Sequence, residues 1–189
     1  MGSFGGQHRS GNRSDDELLA AHVAGDRFAF EELFYRYHHQ LFRAARLTSR
    51  DPQDAADALQ DALLKAHRCA PQFRHDCSVR SWLYRIVINS CVDRLRRNKF
   101  RDAERLTEFH HPLGDPIPEV DTALSIERAL LGLPLEQRVA VVTVDMEGYS
   151  IAETAKLLGI PEGTVKSRCA RARAKLAQSL AYLDHPADA

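Results

Sequence analysis

Hydrophobic residues recur every three or four positions along most of the chain, with polar residues between them. This period is typical of amphipathic helices, so the fold is predicted to be all-α. Ser14 with Glu17, and Ser150 with Glu153, form capping boxes, the pattern that starts a helix. The predicted helices cover about 14–24, 26–47, 51–68, 78–99, 122–131, 136–146, 150–158 and 162–182.

Residues 101–121 break the helical pattern. They contain three prolines, one glycine and six acidic residues, a composition that favours an extended linker. We therefore predict two small helical domains joined by a flexible linker. The predicted divisions are a disordered tail at 1–13, a first domain at 14–100, the acidic linker at 101–121, a second domain at 122–183 and a tail at 184–189.

The second domain contains a short predicted helix, a turn at Gly159-Ile160-Pro161 and a longer basic helix. This order predicts a helix-turn-helix, whose second helix reads base edges in the major groove with its N-terminal part. No acidic residue lies between Gly163 and Leu183, which favours DNA binding over a helical hairpin with a charged exterior. Arg171 suits guanine recognition, and Arg173 lies later, where phosphate contact is expected.

Charge is segregated although the chain is neutral overall, with 26 basic and 26 acidic residues. Five cations and no acid lie within 94–101, and five more lie within 166–175, again without an acid. Two separate basic patches on a neutral chain favour a polyanion held at two places. The alternative is a pair of solvated helix faces.

The predicted helix at 51–68 has a polar side rich in aspartate. Its apolar stripe is Ala55, Leu59, Ala62, Leu63 and Ala66. Asp54, Asp57 and Asp61 lie roughly opposite. Asp54 is close enough to the N-terminus to favour the helix dipole, which is a structural explanation. Asp57 and Asp61 gain little from the dipole, so an exposed acidic docking face becomes plausible.

Aromatic and basic residues gather around the start of the helix at 78–99. Phe73, Arg74 and His75 precede it, and Trp82 lies on its apolar face and is predicted to be a core residue. Stacking, positive charge and amide hydrogen bonds are what a single-stranded nucleic acid requires. The alternative for Phe73 is a loop aromatic packed into the core, and the residues alone do not decide between the two.

These segments resemble the extracytoplasmic-function (ECF) sigma factors of bacterial RNA polymerase over about residues 14–183. In the first domain the resemblance is carried by Asp57-Ala58-Leu59-Gln60-Asp61, Phe73, Ser81-Trp82-Leu83, Ile86, Asn89, Asp93 and Arg96-Arg97. In the second domain it is carried by Leu133-Pro134, Tyr149-Ser150-Ile151-Ala152-Glu153, Leu158 through Arg168, and Ala170-Arg171-Ala172.

The resemblance implies a factor that binds core polymerase, recognises two promoter elements and promotes melting. Contacts to the clamp helices of the largest subunit are then expected from Asp54, Asp57, Gln60 and Asp61. Contacts to the −10 element, including a flipped base, are expected from Phe73, Arg74, His75, Ser78, Arg80, Arg85, Asn89, Arg96 and Arg97. Contacts to the −35 element are expected within 150–176 from Glu162, Thr164, Lys166, Ser167, Arg168, Arg171 and Arg173.

Further partners also follow from the resemblance alone. They are the polymerase flap and an anti-sigma factor, membrane-anchored in this expectation, which holds both domains. Packing of the two domains in the free protein, with poor promoter binding, is a further expectation. The linker is expected to pass near the active centre and the RNA exit path.

The sequence favours neither an enzyme nor a metalloprotein. It contains no glycine-rich phosphate loop, nucleophile elbow or H-E-x-x-H motif, so no catalytic activity, cofactor or small-molecule substrate is expected. His67, Cys69, His75 and Cys77 match no zinc spacing well. A redox role for Cys77 or Cys169 lacks an evident partner thiol. No apolar leader or membrane-length stretch occurs, so a cytoplasmic location is expected.

A simple helix-turn-helix regulator is the competing function. It would act without joining the polymerase, and it would usually dimerise on a palindrome. It would also lack the acidic docking helix and the tryptophan-bearing first domain.

Overall fold

The computed structural model describes residues 13–49, 51–104 and 122–181, and every regular element in these ranges is a helix, which confirms the all-α prediction. The first domain contains α1 (Asp15–Val23), α2 (Arg27–Thr48), α3 (Pro52–Cys69), a 3-10 turn (Ala70–Gln72) and α4 (Val79–Glu104). The second contains α5 (Thr122–Leu131), α6 (Leu135–Val141), a π-helical turn (Val142–Met146), α7 (Ile151–Leu158) and α8 (Glu162–Leu180).

Local hydrogen bonds at the helix ends account for most of these boundaries. The Ser150 hydroxyl accepts a hydrogen bond from the Glu153 backbone N–H, and the Glu153 carboxylate accepts one from the Ser150 backbone N–H. The same reciprocal pair starts α1 at Ser14, and the Asp51 carboxylate caps α3. Gly159 ends α7 with φ 65°, a left-handed conformation that favours glycine.

Replacing Ser150 with alanine is expected to lower the free energy of unfolding by about 1 kcal/mol, because it removes the N-cap of α7. The hydrogen bond from the Ser150 hydroxyl also holds the pKa of Glu153 below its usual value. Urea denaturation followed by circular dichroism measures the loss. Ser179→Ala, at an exposed position of α8, is the matched control. Equal unfolding midpoints for the two variants would contradict the assignment.

Three segments differ from the sequence predictions. Helix α4 continues to Glu104, so the first residues of the predicted linker are helical, whereas 105–121 lie outside the described residues. Arg13, assigned to the disordered tail, donates hydrogen bonds to Asp26 at 3.1 Å and Glu32 at 2.9 Å. The predicted helix 136–146 is regular only to Val141.

The chain changes its hydrogen-bond period after Val141. In the π-helical turn the Glu147 backbone N–H donates to the Val142 carbonyl oxygen at 3.0 Å, five residues back. Gly148 then reverses the chain with φ 75°. This turn places the side chain of Glu147 against the first domain.

The two domains pack against each other in the free chain. Val139, Tyr149 and Leu157 of the second domain belong to the same hydrophobic core as the first domain. Leu47 of α2 in turn packs into the core beneath α5 and α6. Arg138 is only 2% exposed and donates to two backbone carbonyls, those of Thr48 at 2.8 Å and Leu131 at 3.0 Å. The linked domains therefore share buried surface.

Candidate nucleic-acid and protein interfaces

The three aspartates of α3 lie close together, and an arginine of α4 forms ion pairs with them. Arg94 Nε lies 2.8 Å from the Asp54 carboxylate, Nη2 lies 2.5 Å from that of Asp57, and Nη1 lies 3.9 Å from that of Asp61. Gln60 is exposed beside them. The aspartates are 22%, 35% and 48% exposed in this order, so Asp61 is the most accessible. Arg94, read from the sequence as part of a basic patch, thus faces the acids.

The loop before α4 is built around Phe73. Its ring is half-buried against the core, with its centroid 5.2 Å from Trp82 and 4.7 Å from His75. Trp82 is buried, as predicted. His75 has φ 57°, uncommon for a residue with a side chain, and its Nδ1 lies 3.0 Å from an Asp16 oxygen. Phe73 is therefore packed against the core but only partly buried, so its predicted stacking role stays a prediction.

Ser78 completes this loop by capping α4. Its hydroxyl accepts a hydrogen bond from the Ser81 backbone N–H at 3.2 Å. Of the other residues expected at the −10 element, Arg74, Asn89, Arg96 and Arg97 are exposed, and Arg80 and Arg85 are half-buried.

Arg80 is engaged by the second domain. Its Nη2 donates to the Glu147 carbonyl oxygen at 3.3 Å, its Nε donates to Gln40 at 3.1 Å, and its guanidinium lies 5.3 Å from the centre of the Tyr149 ring. The Glu147 side chain is fully buried, and its carboxylate accepts hydrogen bonds from Gln40 at 2.6 Å and from Arg43 at 2.8 Å. An arginine expected on DNA is thus part of an interdomain polar cluster.

A cleft of about 260 Å³ lies where the loop at 73–78 faces α7. The first domain contributes loop and α4 residues, and the second domain contributes Tyr149 and residues of α7. The lining residues are Asp76, Cys77, Ser78, Ser81, Arg85, Tyr149, Glu153, Lys156 and Leu157. Burial raises the pKa of both the Tyr149 hydroxyl and the Cys77 thiol. The second domain therefore covers one side of the loop.

The helix-turn-helix is formed by α7, the Gly159 turn and α8. Val165, Cys169 and Ala172 are buried, as the periodicity predicts. The polar residues expected at the −35 element are solvent-accessible: Glu162, Lys166, Ser167, Arg171 and Arg173 are exposed, and Thr164 and Arg168 are half-buried.

Two arginines of α8 have internal partners. Arg171 folds back on its own helix and donates to the carbonyl oxygen of Ser167 at 3.1 Å and to its hydroxyl at 3.2 Å. Arg173 forms two hydrogen bonds with the Asp145 carboxylate, at 2.9 and 2.7 Å. Helical spacing places Arg173 on a different side of α8 from Thr164, Ser167 and Arg171. Arg173 therefore braces the π-helical turn and lies away from the side of α8 that carries Thr164, Ser167 and Arg171.

Several residues escaped the sequence analysis because their partners are distant in the chain. Tyr84 lies off the apolar stripe of α4 but is fully buried, with its hydroxyl 3.3 Å from that of Thr143 and its ring 5.1 Å from Tyr149. Glu147 and Arg138 have no motif around them. The one available signal for Glu147 was its place directly before Gly148, at a turn.

The described cysteines and histidines form no evident metal site. All four cysteines are free thiols, and burial is the main factor that raises the pKa of Cys169. Across the described ranges, no three histidine, cysteine or acidic side chains converge to hold a metal ion. Within those ranges, no helix has the length and hydropathy needed to cross a membrane.

Comparison with known families matches both domains. The family model for sigma-70 region 2 covers residues 33–101, and the model for sigma-70 region 4 covers residues 123–176. The first range contains the aspartates of α3 and the loop at 73–78, and the second contains the helix-turn-helix. The two predicted domains therefore correspond to two successive sigma regions.

Individual relatives agree with this assignment. The ECF RNA polymerase sigma factor SigM of Mycobacterium tuberculosis is 61% identical over 181 residues, which cover 96% of this chain and 90% of that protein. This agrees with a narrower resemblance of the sequence to the mycobacterial sigma-M type.

Two solved structures are similar over both domains. The sigma factor RpoE of Bartonella quintana, in complex with the anti-sigma factor NepR, has a TM-score of 0.67 at 25% identity and covers 82% of this chain and 98% of its own. CnrH, in complex with the cytosolic domain of CnrY, has a TM-score of 0.66 at 31% identity and covers 92% of this chain and 99% of its own. The chain belongs to the ECF RNA polymerase sigma factors of the sigma-70 family.

Proposed function

We propose that this sigma factor uses three surfaces during initiation. The acidic face of α3 (Asp54, Asp57, Gln60 and Asp61) binds the clamp helices of core polymerase. The loop at 73–78, here called the −10 loop, binds the melted −10 element together with the polar side of α4. Helix α8 reads the −35 duplex. The observation that carries the proposal is the joint exposure of an acidic face on one domain and a basic recognition helix on the other.

The −10 loop has the features that base capture requires. Phe73 rests on Trp82 and keeps part of its ring accessible for stacking, while Arg74, Asn89, Arg96 and Arg97 are exposed nearby along the loop and α4. Stacking on an aromatic ring and positive charge along the strand are the usual basis of single-strand binding. A flipped non-template base enters beside this loop in the proposed mechanism.

At the −35 element the proposed contacts come from the N-terminal half of α8. Thr164, Ser167 and Arg171 share one side of the helix, with Arg168 beside them. Arginine reads guanine with two hydrogen bonds, and serine and threonine serve bases or phosphate. Lys166 and Arg173 lie on another side of α8, where we place phosphate contacts.

The closed packing of the domains suggests a low-activity form of the free protein. Arg80 is occupied by Glu147 and Tyr149, and α7 covers the cleft beside Cys77 and Ser78. In this proposal the domains separate on polymerase, which frees the −10 surface. An anti-sigma factor that holds both domains, membrane-anchored in our expectation, would stabilise the closed form. The sigma factor in the Bartonella quintana structure is bound to the anti-sigma factor NepR.

The same proposal assigns the protein no catalytic turnover, no cofactor and a cytoplasmic site of action. Its partners are core polymerase, including the flap, and promoter DNA. Any reproducible hydrolase activity of the pure protein would count against this part.

Run-off transcription with bacterial core polymerase on a pooled promoter library tests the proposal directly. Transcripts that require this protein and share two upstream elements would support it and would reveal both elements. Sequence-specific duplex binding by the protein alone, without any transcript, would instead favour the helix-turn-helix regulator.

Replacing Asp61 with alanine is expected to weaken core polymerase binding by about 1 kcal/mol, the usual threshold for a residue that matters in an interface. Asp61 is the most exposed of the three aspartates and lies off the apolar stripe of α3, so the fold should be retained. A fluorescence-anisotropy titration with core polymerase measures the affinity. Glu31→Ala, at an exposed position of α2, controls for the loss of one negative charge. Loss of helicity in the Asp61 variant would make its role structural.

A further inference from the structure

We propose that Arg94 is a positioning residue of the polymerase-docking surface, which it organises by bridging the aspartates of α3. This inference rests on the proposed docking of that surface. The basic run of α4 is therefore divided by function. Arg96 and Arg97 are exposed and are assigned to DNA. Arg94 contacts the neighbouring helix α3 and is assigned to the polymerase interface.

The three aspartates differ in how many of their carboxylate oxygens have a hydrogen-bond partner. Both oxygens of Asp54 have partners, Arg94 Nε at 2.8 Å and Asn98 Nδ2 at 2.9 Å. Both oxygens of Asp57 also have partners, Arg94 Nη2 at 2.5 Å and Gln53 Nε2 at 3.1 Å. Asp54 is consequently a brace for the surface, and Asp57 is held in one orientation.

Asp61 is the carboxylate left most accessible to a partner. Its only described ion pair is with Arg94 Nη1 at 3.9 Å, and its side chain is 48% exposed. Arg94 itself is 26% exposed, less than Asp57 or Asp61. The exposed part of the Asp61 carboxylate is therefore available to a cation from the polymerase while Arg94 stays paired with Asp54 and Asp57.

Electrostatics explains why such a bridge is needed. Three carboxylates at positions 54, 57 and 61 share one side of α3 and repel one another. One guanidinium between them offsets part of this repulsion and limits their rotamers, while the group stays net negative for a basic partner. Ordering that exists before docking lowers the entropy lost on binding. The hydrogen bond with Asp54 is the main factor that raises the pKa of Arg94, so the bridge is charged throughout the neutral range.

The test compares Arg94→Met and Arg94→Lys with the unaltered chain in titrations with core polymerase at low and moderate salt. Both variants are expected to bind about fivefold more weakly at either salt concentration, because lysine keeps the charge but lacks the planar, three-pronged geometry. Arg68→Met, exposed at the end of α3, removes the same charge as the control and should bind normally.

A long-range charge effect gives the opposite result. Loss of a cation makes the surface more negative, so charge alone would tighten binding to a basic partner at low salt. Tighter or unchanged binding of both Arg94 variants would therefore overturn the proposal and would make Arg94 a competitor or a bystander.

A double-mutant cycle separates positioning from loss of stability. In an Asp54→Asn/Asp57→Asn background, Arg94→Met should cause no further loss of polymerase affinity, because the residues it positions are already changed. A full additional loss would overturn the proposal. If Asp61→Ala binds normally, the docking surface itself is wrong and this inference falls with it. If only the Arg94 variants bind normally, the docking surface stands.

Discussion

Replacing Glu147 with alanine is expected to open the free protein and to raise its affinity for −10 DNA in the absence of polymerase. The carboxylate is fully buried between the domains and accepts hydrogen bonds from Gln40 and Arg43. Hydrogen bonds to a charged group contribute about 1.5–3 kcal/mol, so their loss should weaken the domain contact by about 2 kcal/mol. Arg80 donates to the Glu147 backbone carbonyl, which alanine retains, so Arg80 becomes available to DNA only once the domains separate.

Small-angle scattering measures the opening as an increased radius of gyration, and anisotropy with a fork-junction probe measures the affinity. Glu136→Ala removes one acidic residue from an exposed position of α6 and is the matched control. Core polymerase should reduce the difference between the variant and the unaltered chain, because both then have separated domains. If the Glu147 variant has the same radius of gyration and the same DNA affinity as the unaltered chain, Glu147 does not hold the two domains together.

Helix ends were predictable because their signals are local. Ser14, Asp51 and Ser150 each cap a helix through backbone groups two or three residues away, so a short sequence window contains the whole interaction. Gly159 likewise ends α7 through its own backbone conformation. The helix-turn-helix, built from these signals and an apolar period, was therefore accessible from sequence.

The contact between the domains could not be predicted from the sequence, because it joins residues that are far apart in the chain. Tyr84 lies off the apolar stripe of α4 and is buried only because Thr143 and Tyr149 cover it. Glu147 faces the first domain only because a π-helical turn precedes it. A helical period describes one face of one helix, and it does not identify a second buried face.

The basic run of α4 illustrates the same limit for function. Composition groups Arg94 with Arg96 and Arg97, although helical spacing and packing give them different neighbours. Arg94 meets the aspartates of α3, while Arg96 and Arg97 are exposed. Charge counting therefore grouped Arg94 with the cations predicted to bind a polyanion, although its guanidinium is paired with carboxylates of α3.

Replacing Arg171 with alanine is expected to change the −35 preference and to cost about 1–3 kcal/mol at the base that it reads. The side chain is exposed, and its guanidinium is held at the helix surface by Ser167 through hydrogen bonds of 3.1 and 3.2 Å. To bind DNA, Arg171 must exchange these hydrogen bonds for bonds to a base edge. The exchange costs little free energy, because the two acceptors on Ser167 are uncharged and the bonds are exposed to solvent. The loss should therefore fall on specificity.

Transcription by the reconstituted holoenzyme from promoters randomised at the −35 element measures this preference. Arg173→Ala is the informative comparison, because Arg173 lies on a different side of α8 from Arg171 and is paired with Asp145. We expect that variant to weaken all −35 sequences alike, as loss of a phosphate contact does. A relaxed preference at one position for Arg171→Ala alone would place its guanidinium on that base. An unchanged preference would leave Arg171 a solvent-exposed residue of α8.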